Sequence, residues 1–122
     1  MADDGSEETA RARGFAVMLA AGTGARLTAV YVRAPTESQE EAHRKLGATL
    51  AAATAAGLKC AVVIAPPVGI TNPGRRILTA ARDSHADLIV MGTRGTGLTR
   101  RLLGSVAAYV VSRGHVSVCM LR

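Results

Sequence analysis

Short apolar runs alternate along the chain with longer segments in which small or apolar residues recur every three or four positions. The runs at residues 26–32, 58–65, 88–91 and 116–121 predict strands. The run 88–91 is expected to be buried on both faces because all of its residues are apolar. The remaining segments predict four helices, so that helix and strand alternate along the chain. Strands separated by helices of this length indicate right-handed crossovers and a parallel sheet with helices on both faces.

Capping residues and glycines predict where the helices begin and end. Asp4 or Ser6 is expected to cap the first helix. The second helix is predicted to begin at Thr36, which would form a T-x-x-Q capping box with Gln39. The same helix is predicted to continue to about Gly57.

The composition indicates a single domain over residues 1–122 with an aliphatic core. Apolar residues make up 48% of the chain, but aromatic residues make up only 2% and there is no Trp. So few aromatic side chains argue against the base-stacking recognition of RNA or single strands. Binding to nucleic acid would therefore rest on charge alone.

The net charge of +6 is unevenly distributed. The segment after Asp87 contains five arginines and no acidic residue. The positive field around that segment would attract a nucleotide anion. The alternative is that these arginines only interact with water, as most charged surface residues do.

The two cysteines, Cys60 and Cys119, each lie inside an apolar run and lack the spacing of metal ligands. The chain shows no signal peptide and no apolar stretch of the roughly 20 residues that a spanning helix needs. These features predict a cytoplasmic protein with buried, reduced thiols and no contact with a membrane.

Glycines dominate the segment that follows the run 88–91. Gly92, Gly95 and Gly97 fall within six residues, and Gly104 with Ser105 precedes a predicted helix. Glycine permits positive φ and leaves backbone N–H groups free to face a ligand, and a helix N-terminus attracts phosphate. The segment therefore predicts a phosphate-binding loop, with a simple tight turn as the alternative. It matches neither the Walker pattern nor G-x-G-x-x-G.

The spacing G-2x-G-8x-G-S resembles the loop of the nucleotide-binding members of the universal stress protein family, which usually has nine residues in the longer spacer. The likeness extends to ADDGSEE, TAVYV, DLIVMGTRG and GSVAAYVVSRGHVSVCMLR, and so covers nearly the whole chain. It implies a doubly wound, flavodoxin- or Rossmann-like α/β fold with an open parallel sheet. It also implies a stress-response protein that binds ATP, with Mg²⁺ carried by the nucleotide.

The resemblance assigns roles to particular residues. By this resemblance, the base would face Asp4 and Val32, and the base and ribose region would face Met91 and Gly92. The phosphates would face Gly95, Gly104, Ser105 and Val106. From the residues alone, Asp4 could equally be a helix cap and Met91 a plain core residue.

The family's first strand lies in the middle of the sheet, and this chain is expected to contain only its last residues, 1–3. The missing part would leave two strand edges unpaired. A start codon placed too late, a truncated domain and a strand donated by another chain are the three explanations. The incomplete strand and the short spacer favour an alternative function, a dimerising interaction module that no longer binds nucleotide.

The last predicted strand, from Val116 to Leu121, is apolar and free of proline. Such an edge is expected to pair with its own copy in a homodimer, as the family commonly does, unless it is protected in a monomer. The sequence provides no histidine or serine in a catalytic pattern, so at most weak ATP hydrolysis is expected.

Overall fold

The computed structural model describes residues 1–93 and 103–122. Within these ranges the strands are β1 (Leu27–Val32), β2 (Cys60–Ala65), β3 (Leu88–Gly92) and β4 (Ser117–Leu121). The α-helices are α1 (Ala10–Thr23), α2 (Gln39–Lys45), α3 (Gly47–Ala55), α4 (Gly74–Asp83) and α5 (Ser105–Arg113), and a 3-10 helix at Glu7–Thr9 precedes α1.

The strands form two parallel pairs, β1 with β2 and β3 with β4. Residues 1–3 lie between the pairs and hydrogen-bond to both. The Ala2 N–H donates to the Val90 carbonyl (2.9 Å), and the Asp3 N–H donates to the Val30 carbonyl (2.9 Å). The resulting order is β2, β1, residues 1–3, β3, β4, which puts residues 1–3 where the resemblance predicts them.

Helices cover both faces of this layer, which confirms the doubly wound α/β fold class. Alternate side chains of a strand point to opposite faces. Val30 accordingly packs with Ile77 of α4 and Val110 of α5, whereas Tyr31 packs with Leu46 on the α2 and α3 side. Alanines along α1 allow it to lie close against the sheet, in a core cluster that includes Val90.

The segment predicted as one helix up to Gly57 forms two helices, so the described residues contain five α-helices where four were predicted. Leu46, which is fully buried, separates them. Its N–H donates to the His43 carbonyl (3.2 Å), three residues back, which tightens the last turn of α2. Gly47 follows, and glycine has a low helix propensity.

The capping box of α2 is made by Ser38 and Glu41, not by Thr36 and Gln39 as predicted. The reason is the turn that precedes the helix. The Glu37 N–H donates to the Ala34 carbonyl (3.1 Å), which keeps residues 34–37 in a turn. The helix therefore begins only after Ser38.

Candidate functional site

A cleft of about 330 Å³ opens at the carboxyl ends of β1 and β3, on the side of α4 and α5. We call it the β1/β3 cleft. Seven of the eight predicted site residues line it: Asp4, Val32, Met91, Gly92, Gly104, Ser105 and Val106. Gly95 lies outside the described residues. The structure thus brings residues from opposite ends of the sequence, such as Asp4 and Val106, together in one cleft.

The strand order explains why the cleft forms there. From residues 1–3 the chain proceeds to β1 and β2 on one side, and then to β3 and β4 on the other. The carboxyl ends of β1 and β3 therefore diverge across residues 1–3. In open α/β sheets this reversal point is where a ligand crevice forms.

The floor of the β1/β3 cleft is apolar. Met91 is only 5% exposed and belongs to the core cluster that contains Ile77 and Ala107, and all three residues line the cleft. Met91 is therefore both a core residue and a lining residue. This floor and Val32 are both apolar, so together they suit the faces of a flat ring.

The N-terminus of α5 faces the cleft. The first intrahelical bond runs from the Ala108 N–H to the Gly104 carbonyl (2.9 Å). No described residue accepts a hydrogen bond from the N–H groups of Ser105, Val106 or Ala107, and all three residues line the cleft. These N–H groups and the positive end of the helix dipole can hold an anion.

Gly104 itself does not offer its N–H group to the cleft, contrary to the prediction that the loop amides are free. This N–H donates to the Thr93 carbonyl (2.9 Å), and the Thr93 N–H donates to the Leu121 carbonyl (3.0 Å). The bond joins the end of β3 to the start of α5. What Gly104 provides is the absence of a side chain beside the α5 amides.

Asp4 and Ser6 do not cap a helix through their side chains, so that prediction is wrong. The Asp4 Oδ1 atom accepts hydrogen bonds from the Ser6 N–H (3.0 Å) and from the Ser6 hydroxyl (2.5 Å). The chain then enters the 3-10 helix, and the Ser6 side chain makes no capping bond to it. Asp4 is exposed and lines the edge of the β1/β3 cleft.

Sequence reasoning missed an ionic cluster of Tyr31, Glu37 and Lys45. The Tyr31 hydroxyl donates to Glu37 Oε2 (2.7 Å), and Lys45 Nζ lies 2.7 Å from Glu37 Oε1. Burial opposes ionisation of Glu37, but bonds from Lys45, Tyr31 and the Ala34 N–H outweigh it and lower its pKa to about 2. Burial, and then the bond to Glu37, raise the pKa of Tyr31, while Glu37 is the main group that raises the pKa of Lys45.

This cluster predicts a pH dependence of stability. The pKa of Glu37 is lower in the folded chain, about 2, than its ordinary 4.5, so protons favour the unfolded chain. The stability that Glu37 provides should be complete above pH 4.5 and should be lost as the pH falls towards 2. Urea unfolding of the wild type and of Glu37→Gln across this range would measure it, with exposed Glu40→Gln as the control. The Glu37 variant should lose less stability on acidification, and equal losses in all three proteins would contradict the assignment.

No α-helix in the described parts of the chain combines the length and the apolar character needed to cross a membrane.

Comparison with known proteins identifies relatives of the chain. A sequence model described as "Universal stress protein family" matches residues 1–122. A universal stress protein of Thermus aquaticus is 34% identical over 136 residues, an alignment that covers 100% of this chain and 96% of the relative. A solved universal stress protein in complex with cAMP is 30% identical, with a TM-score of 0.77, and the match covers 100% of this chain and 93% of that one.

Other matches are local. A universal stress protein of Methanocaldococcus jannaschii is 49% identical over 51 residues, which is 41% of this chain and 30% of the relative. Matches to two universal stress proteins of Synechocystis cover 36% and 44% of those relatives. The aligned part of the chain therefore spans less than half of these three relatives.

Proposed function

The chain belongs to the universal stress protein family, and from that premise we propose that it is a stress-response protein that binds ATP in the β1/β3 cleft. One observation carries the proposal. The apolar floor, the edge formed by Asp4 and the α5 amides without described partners all meet in one cleft of about 330 Å³. This volume is within the range of small-molecule sites, roughly 300 to 1,000 Å³. The relative solved with cAMP supports an adenine nucleotide as the class of ligand.

The base would enter between Val32 and Met91. Both residues line the apolar part of the cleft, and an adenine ring presents two apolar faces to such walls. Asp4 stands at the edge, where its carboxylate and backbone can accept a hydrogen bond from the exocyclic amino group. The ribose would lie across Gly92, where no side chain obstructs it.

The phosphates would lie against the N-terminus of α5. The N–H groups of Ser105, Val106 and Ala107 have no acceptor among the described residues, and the helix has nine residues, long enough for its dipole to matter. Mg²⁺ would arrive with the nucleotide, held by phosphate oxygens and water. Among the described residues, the lining at this end consists of Thr93, Gly104, Ser105, Val106 and Ala107, which include no general base. We therefore expect ATP turnover to be slow at most.

Calorimetric titration with MgATP, adenosine and tripolyphosphate tests the proposal. ATP should bind more tightly than either fragment, because it fills both the apolar floor and the α5 end. Binding should also raise the melting temperature, since the cleft exists in the folded chain and not in the unfolded one. Absence of both heat and thermal stabilisation at millimolar MgATP would contradict the proposal.

We propose further that the chain acts as a homodimer through β4. β4 pairs with β3 on one side, and Val118, Cys119 and Met120 remain only half-buried. Pairing with a second copy would cover this edge. Light scattering should give a mass near twice 12.6 kDa, and a monomeric mass would contradict the proposal.

A second candidate is a dimerising interaction module that does not bind nucleotide. The bond from the Gly104 N–H to the Thr93 carbonyl favours it, because this bond removes one amide from any phosphate site. The eight-residue spacer, one shorter than is usual in the family, favours it as well. A dimeric protein that shows neither binding heat nor thermal stabilisation with MgATP would support this candidate.

A further inference from the structure

Asp3 has a buried carboxylate, and the proposed nucleotide site assigns no part to it. Its side chain is fully buried. Oδ1 accepts hydrogen bonds from the Gly5 N–H (2.8 Å) and from the Thr9 hydroxyl (2.9 Å). Oδ2 accepts one from the Thr49 hydroxyl and lies 3.6 Å from the Arg13 guanidinium. These partners offset the cost of burying the charge.

The carboxylate points to the face of the sheet opposite α4 and α5. Ala2 packs towards α4 and α5, with Ile77 and Val110, and successive side chains of an extended segment point to opposite faces. Asp3 accordingly points towards Arg13 of α1 and Thr49 of α3. Asp3 and its partner Thr9 are also among the residues that line the cleft.

The network holds the turn that carries Asp4. Gly5 has φ +74 and redirects the chain immediately after Asp4, and its N–H is fixed by Asp3. The Thr9 Oγ1 atom, which donates to Asp3, also lies 2.8 Å from the Ser6 carbonyl oxygen, and the Thr9 N–H donates to that same oxygen (3.3 Å). Arg13 Nε in turn donates to the Thr49 hydroxyl (2.9 Å), which ties α1 to α3 behind the turn. The position of Asp4 at the cleft edge therefore depends on Asp3.

We infer that Asp3 is a positioning residue for the base end of the nucleotide site. It acts through Gly5 and Thr9, which hold Asp4 in place, and it sets the affinity for the nucleoside part of the ligand. The α5 end of the cleft contains none of its hydrogen-bond partners, so the phosphate affinity is independent of Asp3. This inference rests on the proposed function and adds a residue and a division of labour to it.

The test compares Asp3→Asn with the wild type by calorimetry, using adenosine, tripolyphosphate and MgATP as separate probes. Asparagine keeps the shape of the side chain but replaces one acceptor with a donor that faces Thr49 or Gly5. Adenosine and MgATP should bind about tenfold more weakly, because binding must then order the turn that carries Asp4. Tripolyphosphate should bind as it does to the wild type. Asp83→Asn, the same change at an exposed position on α4, is the control.

A second variant keeps the test decisive if Asp3→Asn does not fold. Thr49→Val removes the hydroxyl donor to Asp3 Oδ2 at a position outside the cleft lining, and it should weaken adenosine binding selectively by a smaller factor. Equal weakening of adenosine and tripolyphosphate, or unchanged adenosine affinity in a folded variant, would overturn the inference alone. A wild type that binds none of the three probes would overturn the proposed function together with the inference.

Discussion

We expect Gly104→Val to abolish ATP binding and to leave the fold intact. Gly104 has φ −61 and ψ 150, a conformation that valine adopts readily, so the backbone needs no adjustment. The residue is buried and lines the cleft beside the α5 amides, where a branched side chain would exclude phosphate oxygens. Loss of two charge-assisted hydrogen bonds corresponds to a fall in affinity of about a hundredfold or more. Gly92→Val, at the end of β3 beside Thr93, should act in the same way.

Gly69→Val is the matched control for this prediction. The substitution is identical, an added Cβ at Gly69 meets no heavy atom within 4 Å, and the residue does not line the cleft. Calorimetry with MgATP and thermal melting of the three variants would separate binding from folding. Wild-type affinity in both Gly92→Val and Gly104→Val would exclude the cleft as the nucleotide site.

Gly5→Ala should destabilise the fold more than Gly24→Ala does. The residue has φ +74, and an added Cβ would lie 2.8 Å from the Lys45 Cβ. The left-handed conformation costs a non-glycine residue about 1–2 kcal/mol, and overpacking adds about 1–3 kcal/mol. Together these effects should lower the free energy of unfolding by about 2–5 kcal/mol.

Gly24→Ala provides the control that separates the two costs. Gly24 has almost the same conformation, φ +72, but an added Cβ there meets nothing within 4 Å. Only the conformational cost of about 1–2 kcal/mol should appear. Urea unfolding of both variants would give the difference, which reports the contact with Lys45. Equal losses would contradict a tight contact between the turn and α2.

The sequence was sufficient to predict the fold class and to name residues that meet in the β1/β3 cleft. The run 88–91 forms β3 because apolar, branched residues over so short a length favour a buried strand. Val32 and Met91 come together because the carboxyl ends of parallel strands share one edge of the sheet. Asp4 joins them because residues 1–3 lie between these two strands.

Details decided by tertiary contacts could not be predicted. Helix α2 begins at Gln39 because residues 34–37 form a turn, in which the Glu37 side chain bonds to Tyr31 and Lys45. Local propensity carries no information about these bonds.

The role of Asp3 depends on Thr49, 46 residues away in the sequence, and on Arg13. The one signal in the sequence was a second acidic residue directly before Asp4. It could not be distinguished from a solvated charge until the packing of α1 and α3 was known.

Amide NMR spectra of isotope-labelled protein, recorded during titration with MgATP and separately with adenosine, test the central claim most directly. The account predicts that MgATP strongly shifts the amide resonances of Ser105, Val106 and Ala107. Adenosine should shift the resonances of residues at the base end, such as Val32 and Asp4, and leave the three α5 amide resonances nearly unchanged. Saturating MgATP that leaves the three α5 amides unmoved would contradict the claim that the N-terminus of α5 holds the phosphates.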